Sequence, residues 1–239
     1  MQLKIENIVK TYSKHRVVNE LSMFVNDSEI IGLLGPNGAG KTTSFHIISG
    51  LIKADSGHIY FDSEDIINIP VYLRAQKGII YLSQESSIFR GLTVQENILA
   101  ILEMLGYERD KCYTESELLL KKLGIYNLKD RYAYNLSGGE RRRTEIARAL
   151  AINPHFILLD EPFVGIDPIT IADIQNIIKD LKKSGIGVIL TDHNVREALE
   201  IIDRAYIIYD GRVLIEGSAK QLLESEEARK IYLGKKFKM

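Results

Sequence analysis

Residues Gly35 to Thr42 read Gly-Pro-Asn-Gly-Ala-Gly-Lys-Thr, the stretch of this 239-residue chain with the most specific chemistry. Gly35, Gly38 and Gly40 lack a Cβ and adopt positive φ at little cost, so the loop they form with Pro36, Asn37 and Ala39 can turn its N–H groups inward around an anion. The helix that follows, opening with Thr42 and Thr43, would add the partial positive charge of its N-terminus. Lys41 can then reach the outer phosphates of a nucleotide, and the Thr42 hydroxyl can hold Mg²⁺. A second constellation is Asp160-Glu161. A carboxylate at the end of an apolar strand beside a phosphate loop can hold the same cation, which is the role expected for Asp160. Glu161 is the candidate general base for an attacking water.

Leu136-Ser137-Gly138-Gly139-Glu140 is a third. Ser137 with Glu140 has capping-box spacing, and two glycines in the first helical turn leave the N–H groups open to an anion. The chain already has a complete phosphate loop. The economical reading is that this helix closes over a nucleotide held by a second copy, in a two-fold dimer. An ordinary capped helix shares the spacing.

Elements must position these groups. Glu29 to Leu34 is a short apolar run that reads as a buried parallel strand, and Thr42 to Ile48 reads as a helix ended by Gly50. Leu3, Ile5 and Ile8 suggest an edge strand, Thr11 to His15 a polar loop, and Val17 to Val25 another strand region. His58 to Phe61 and Gly78 to Leu82 read as strands, the latter running into Ser83-Gln84-Glu85.

From Thr93 to Leu150 the periodicity is helical. Thr93 with Glu96 and Thr114 with Glu117 predict two capping boxes, and Gly124 a helix end. Phe156 to Asp160 and Gly187 to Thr191 resume the buried-strand pattern. Between them Asp167 caps a helix that begins at Pro168 and has Ile171, Ile174, Ile178 and Leu181 on its apolar face. Asp210-Gly211 predicts a hairpin, and Ser218 with Gln221 a last helix. The expectation is a single α/β domain over 1–239, with 1–84 and 151–239 as its core and 85–150 as an inserted helical subdomain.

Composition narrows the function. Thirty-one Lys and Arg against 32 Asp and Glu give a net charge of −1, which offers no global argument for nucleic acid. Arg141-Arg142-Arg143 is expected to be a mix of solvated side chains and intradomain pairs. The single cysteine, Cys112, excludes an intramolecular disulfide and reads as a filler residue of a reducing compartment. The N-terminus lacks an apolar signal core, and no apolar run approaches the ~20 residues that span a bilayer. Work at a membrane would proceed through a partner. The basic tail Lys235 to Met239 reads as a solvated end.

Gly35 to Thr42, Gln84, Leu136 to Glu140, Phe156 to Glu161, Gly165-Ile166-Asp167 and His193 resemble, in order and spacing, the motifs of ATP-binding cassette (ABC) ATPases, over nearly the whole chain. The resemblance implies a P-loop NTPase (RecA-like) nucleotide-binding domain with an antiparallel β subdomain and an inserted α-helical subdomain. It implies ATP and Mg²⁺ as ligands and a homodimer sandwiching two ATP molecules. Tyr12 would stack on adenine, Gln84 would contact Mg²⁺ and the attacking water, and His193 would contact the γ-phosphate. Ser137, Gly138 and Gly139 would meet the nucleotide of the other chain, and Asp167 would be a dimer contact as well as a helix cap. Two integral membrane subunits would be the partners, on the cytoplasmic face of the inner membrane, with no nucleic acid. Phe89 and Arg90 are the candidate contacts for them, although an apolar Phe89 also suits core packing.

Within the family, Ile31 to Thr43, Gln84-Glu85, Ser87 to Arg90, Leu136 to Arg143, Glu145 to Ala151, Phe156 to Phe163, Thr191 to Glu197 and Ile231 to Gly234 together resemble the ATPase subunits of lipopolysaccharide-export transporters. Ser83 departs from that pattern, which has proline before the glutamine. Importer ATPases share many of these motifs, and soluble ABC proteins that act on DNA or ribosomes usually carry two cassettes or a long coiled-coil insertion.

Overall fold

The computed structural model describes residues 1–225. The expectations for Ile231 to Gly234 and for the tail lie outside them. In chain order the first half contains β1 (Gln2–Tyr12), β2 (His15–Asn26), β3 (Ile30–Leu34), α1 (Lys41–Ser49), β4 (Ser56–Phe61), β5 (Glu64–Asp65), α2 (Val71–Gln76), β6 (Ile79–Leu82), α3 (Val94–Met104) and α4 (Arg109–Lys122). There follow α5 (Gly138–Leu150), β7 (Phe156–Asp160), α6 (Pro168–Lys183), β8 (Gly187–Thr191), α7 (Val195–Leu199), β9 (Arg204–Tyr209), β10 (Arg212–Ser218) and α8 (Ala219–Glu224).

Two sheets form the core. The larger runs β10-β9-β3-β8-β7-β6, parallel except for the antiparallel β10–β9 hairpin. Strands β3, β7 and β8 are buried at every residue, which is why they read as unbroken apolar runs. Along β7 the side chains alternate. Ile157 and Leu159 join the apolar cluster formed with α3 to α6, and Phe156 and Leu158 the one formed with α1 and the second sheet. That second sheet is antiparallel, in the order β2-β1-β4-β5.

Three local expectations are corrected. β1 is not an edge strand, because it pairs with β2 on one side and β4 on the other. The alternation of buried Leu3 and Ile5 with Lys4 and Glu6, themselves an ion pair at 2.5 Å, reports one buried face and says nothing of how many strands flank it. The loop expected at Thr11 to His15 shrinks to Ser13 and Lys14, with φ of 45° and 71°, because Thr11 and Tyr12 stay paired with Arg16 and His15. Thr114 caps no helix. It lies inside α4 and its hydroxyl donates to Asp110 O, because the buried stripe Cys112, Ser116 and Leu120 extends that helix toward its N-terminus. Between β6 and β7 the described elements are helices, and the 85–150 subdomain remains our proposed division.

Candidate active site

The carboxyl ends of β3, β6, β7 and β8 lie along one edge of the parallel sheet, where α/β folds bind their ligands. Each strand delivers a sequence-predicted group there. From β3 the chain enters the glycine loop and α1. Gly40, with φ of 101°, is the helix N-cap, and a Cβ on it would lie 2.4 Å from Val17 O. On Gly35 (φ 156°) a Cβ would lie 2.3 Å from Ile208 O. Gly40→Ala is therefore expected to cost about 1–3 kcal/mol of stability and to weaken nucleotide binding; a thermal melt and a titration with a fluorescent ATP analogue check both.

Lys41 Nζ donates to Gly35 O at 2.8 Å and Pro36 O at 2.9 Å, which leaves one of its three N–H donors for an anion. Burial pushes its ammonium below the ordinary lysine range, and the carboxylates of Glu161, Asp160 and Asp192 pull it partly back.

A cavity of about 240 Å³ opens over the loop, lined by Val17, Asn37, Gly38, Gly40, Lys41, Thr42, Thr43, Glu161 and His193. Asp160, next to Glu161 in the chain, is buried and does not line it. Its Oδ1 accepts from Thr191 Oγ1 at 2.5 Å and its Oδ2 from Tyr81 Oη at 3.1 Å. Burial and the Asp160 carboxylate push the Tyr81 phenol well above its usual range, so it stays a donor. Glu161 is 8% exposed, in the left-handed region at φ 48°, and held there because its N–H donates to Thr191 O and Oγ1. Its carboxylate contacts His193 Nε2 through Oε1, while the buried Oε2 has no hydrogen-bond partner. Asp192 fastens the His193 loop to the chain after β7, accepting from Asn194 N at 2.7 Å and Phe163 N at 3.1 Å. Burial raises its carboxyl above the ordinary range, against those backbone donors.

The cavity does not gather every predicted residue. Gln84 is exposed and lines a neighbouring cavity of about 250 Å³ with Ser86, Gly138, Arg142 and Gly165; Glu161 stands between the two. Ser83, in the place of the expected proline, closes its turn by donating to Glu85 O at 2.6 Å, and its own carbonyl accepts from Arg142. Tyr12 stands apart, 44% exposed, with Lys10 Nζ 5.5 Å from its ring centre. Ser137 is exposed and completes a reciprocal capping box with Glu140. Gly139 is buried, and a Cβ on it would fall 2.1 Å from the Thr170 side chain, so α5 and α6 meet closely here. Asp167 caps α6 by accepting from Thr170 N at 3.0 Å.

Arg142 pairs with buried Glu145 at 3.1 Å, Arg143 with Asp173, and Arg141 donates to Leu136 O, so the arginine run makes intradomain contacts. The sequence assigns no role to Tyr81, Thr191 or Asp192. All three are ordinary strand-end residues, and only the pairing of β6, β7 and β8 brings them to the acids.

An anion-cradling loop on one strand and paired carboxylates at the end of a nearby parallel strand define a class, the P-loop nucleoside triphosphatases. Within that class the chain belongs to the ABC transporter family, whose sequence profile matches residues 18–164. It is 50% identical over 238 residues to the lipopolysaccharide export system ATP-binding protein LptB of Haemophilus influenzae, covering 99% of each chain. Its fold matches an ATP-binding cassette of an ABC transporter in its ADP conformation with a TM-score of 0.87 and 33% identity, over 98% of this chain and 100% of that one. A dimeric post-hydrolysis ATP-binding cassette bound to ADP and Pi matches with a TM-score of 0.81 and 26% identity, over 91% and 98%. The chain is accordingly an ABC ATPase.

Proposed function

We propose that this ATPase powers lipopolysaccharide export as a homodimer attached to integral membrane subunits at the cytoplasmic face of the inner membrane. The observation that carries the reading is the near-complete, half-identical match to an export-system ATP-binding protein. The site geometry agrees with it. Lys41 and the α1 N–H groups receive the phosphates, His193 and Glu161 face the same cavity, and Glu161 Oε2 is left to take a proton from water. Mg²⁺ suits the donors present: the hydroxyl of Thr42, which lines the cavity, and the buried Asp160 carboxylate are hard oxygen ligands. One carboxylate plus substrate phosphates is the usual way that cation is held. When bound it would neutralise charge building on the departing phosphates.

The dimer reading rests on the face around α5. Ser137 and Gly138 are exposed there, alongside Val164, and Ile169 on α6 is 82% exposed. Apolar side chains so placed suit burial against a second copy. No helix among the described residues is long and apolar enough to cross a membrane, so contact with it would run through the partners.

For those partners Phe89 is the anchor. It is not core, being 46% exposed, and it is held rigidly: buried Asn97 accepts from its N–H at 2.9 Å and donates to its carbonyl at 3.1 Å. The Arg148 guanidinium lies 5.0 Å from its ring centre. Arg90 is exposed beside it. Phe89→Ala is expected to weaken association with the membrane subunits by about 2 kcal/mol or more while the isolated chain hydrolyses ATP unchanged; co-purification from detergent extracts set against solution ATPase rates checks this. The export reading itself is tested by depleting the protein in its own host. Lipopolysaccharide should accumulate in the inner membrane, and normal delivery to the surface would assign the ATPase to another transporter.

A further inference from the structure

His46 lies one turn beyond Thr42 on α1 and therefore shares its face. Its Nε2 is 3.2 Å from the Tyr81 hydroxyl on β6, and that hydroxyl donates to Asp160 Oδ2 on β7. A phenol has one proton to give. Since Tyr81 gives it to Asp160, its oxygen accepts from His46, which fixes the imidazole as the Nε2–H tautomer. Packing holds the tyrosine in place. The ring is met edge-on by Phe45 at 6.2 Å and by His46 at 5.4 Å.

We propose that Tyr81 is a positioning residue for the cation of this site, with His46 as its support. The pair ties the helix that presents the Thr42 hydroxyl to the strand that presents the Asp160 carboxylate, and so fixes the separation of the two oxygen ligands. Thr191 holds the other carboxylate oxygen, so both oxygens of Asp160 are oriented by hydroxyl donors from the flanking strands β6 and β8. Each oxygen keeps a lone pair free. Neither Tyr81 nor His46 lines the nucleotide cavity, so both act through Thr42 and Asp160. The inference rests on the reading that Asp160 and Thr42 hold Mg²⁺.

Tyr81→Phe in the full chain removes one hydroxyl and keeps the ring. The probe is Mn²⁺, followed by electron paramagnetic resonance with ATP present, alongside ATP binding in excess EDTA. Mn²⁺ affinity is expected to fall roughly tenfold, as when an outer hydrogen-bond partner of a metal ligand is lost, with metal-free ATP affinity unchanged. His46→Phe should move Mn²⁺ affinity in the same direction by less, and His46→Gln, whose amide can donate to Tyr81, should restore it. Unchanged Mn²⁺ binding in Tyr81→Phe would overturn the inference. So would an equal loss of metal-free ATP affinity, which is the mark of a packing role. The parental protein separates the two readings. If its own ATP binding is indifferent to the cation, the Mg²⁺ assignment fails. If it is cation-dependent and Tyr81→Phe matches it, only the role of Tyr81 fails.

Discussion

Glu161→Gln is expected to lower ATP hydrolysis by about 10²–10⁴-fold, the usual worth of a positioned general base, while ATP binding stays intact. Glu161 Oε1 meets His193, and Oε2 is buried without a hydrogen-bond partner. An unmade hydrogen bond at a buried acceptor costs about 1–3 kcal/mol, so the fold tolerates an oxygen here that is ready for a proton. In the glutamine variant one oxygen becomes an amide NH₂. With the amide oxygen kept on His193, the NH₂ occupies the free position and cannot accept a proton from water. The backbone is unaffected, because the left-handed φ of 48° is held by Thr191 through the main-chain N–H.

On our proposal Lys41, Thr42 and the loop glycines would hold the substrate's phosphates without help from that carboxylate, so affinity should survive. Single-turnover hydrolysis and equilibrium ATP binding, measured on one preparation, separate the two effects. Turnover within about threefold of the parent, under 1 kcal/mol of barrier by the tenfold-per-1.36 kcal/mol rule, would move the base elsewhere.

How much of this site could be read from sequence depended on whether its chemistry is local. The glycine loop was legible because the strand before it, the positive-φ glycines within it and the helix after it are consecutive, and each constrains the next. The α5 and α6 caps were legible for the same reason: Ser137 with Glu140 and Asp167 with Thr170 are three residues apart. Thr114 with Glu117 has that spacing too and is no cap, because the burial of Cys112 two residues earlier decided where the helix starts.

What sequence could not show is what strand pairing assembles. Asp160 pairs across the sheet with Thr191, and Tyr81 comes from the strand on the other side; their separations of 31 and 79 residues carry no local signal. The interior position of β1 was hidden for a related reason. Period-two alternation reports which face is buried and is blind to neighbours in the hydrogen-bonding direction. Phe89 suits both an anchor and core packing by its apolar character, and only the folded chain shows its ring at the surface.

Ser137→Arg should reduce hydrolysis to background while a single chain still binds ATP. Ser137 and Gly138 are exposed at the start of α5; Gly138 lines the neighbouring cavity, Ser137 and Gly139 line neither, and none of the three lines the cavity over the glycine loop. A capped helix whose first turn is open to anions, set on a face with exposed Val164 and Ile169, gains a purpose if a second copy brings its phosphates there. Arginine puts a long side chain where the approach must be close, so the variant removes whatever the second chain's donors contribute. Losing preorganised donors of this kind costs about 10²–10³-fold in rate, and blocking closure altogether costs more.

Loss of the cap has to be distinguished from obstruction. Ser137→Ala removes the hydroxyl that accepts from Glu140 N at 3.3 Å, at about 0.5–2 kcal/mol of stability, without adding bulk. It should therefore hydrolyse far faster than the arginine variant, with a similar melting temperature. Fluorescent ATP-analogue binding at a protein concentration too low for association reports the single-chain site, which should match the parent. If Ser137→Arg hydrolyses at the parental rate, each chain completes its own site, and the exposed α5 face must serve something other than a second copy.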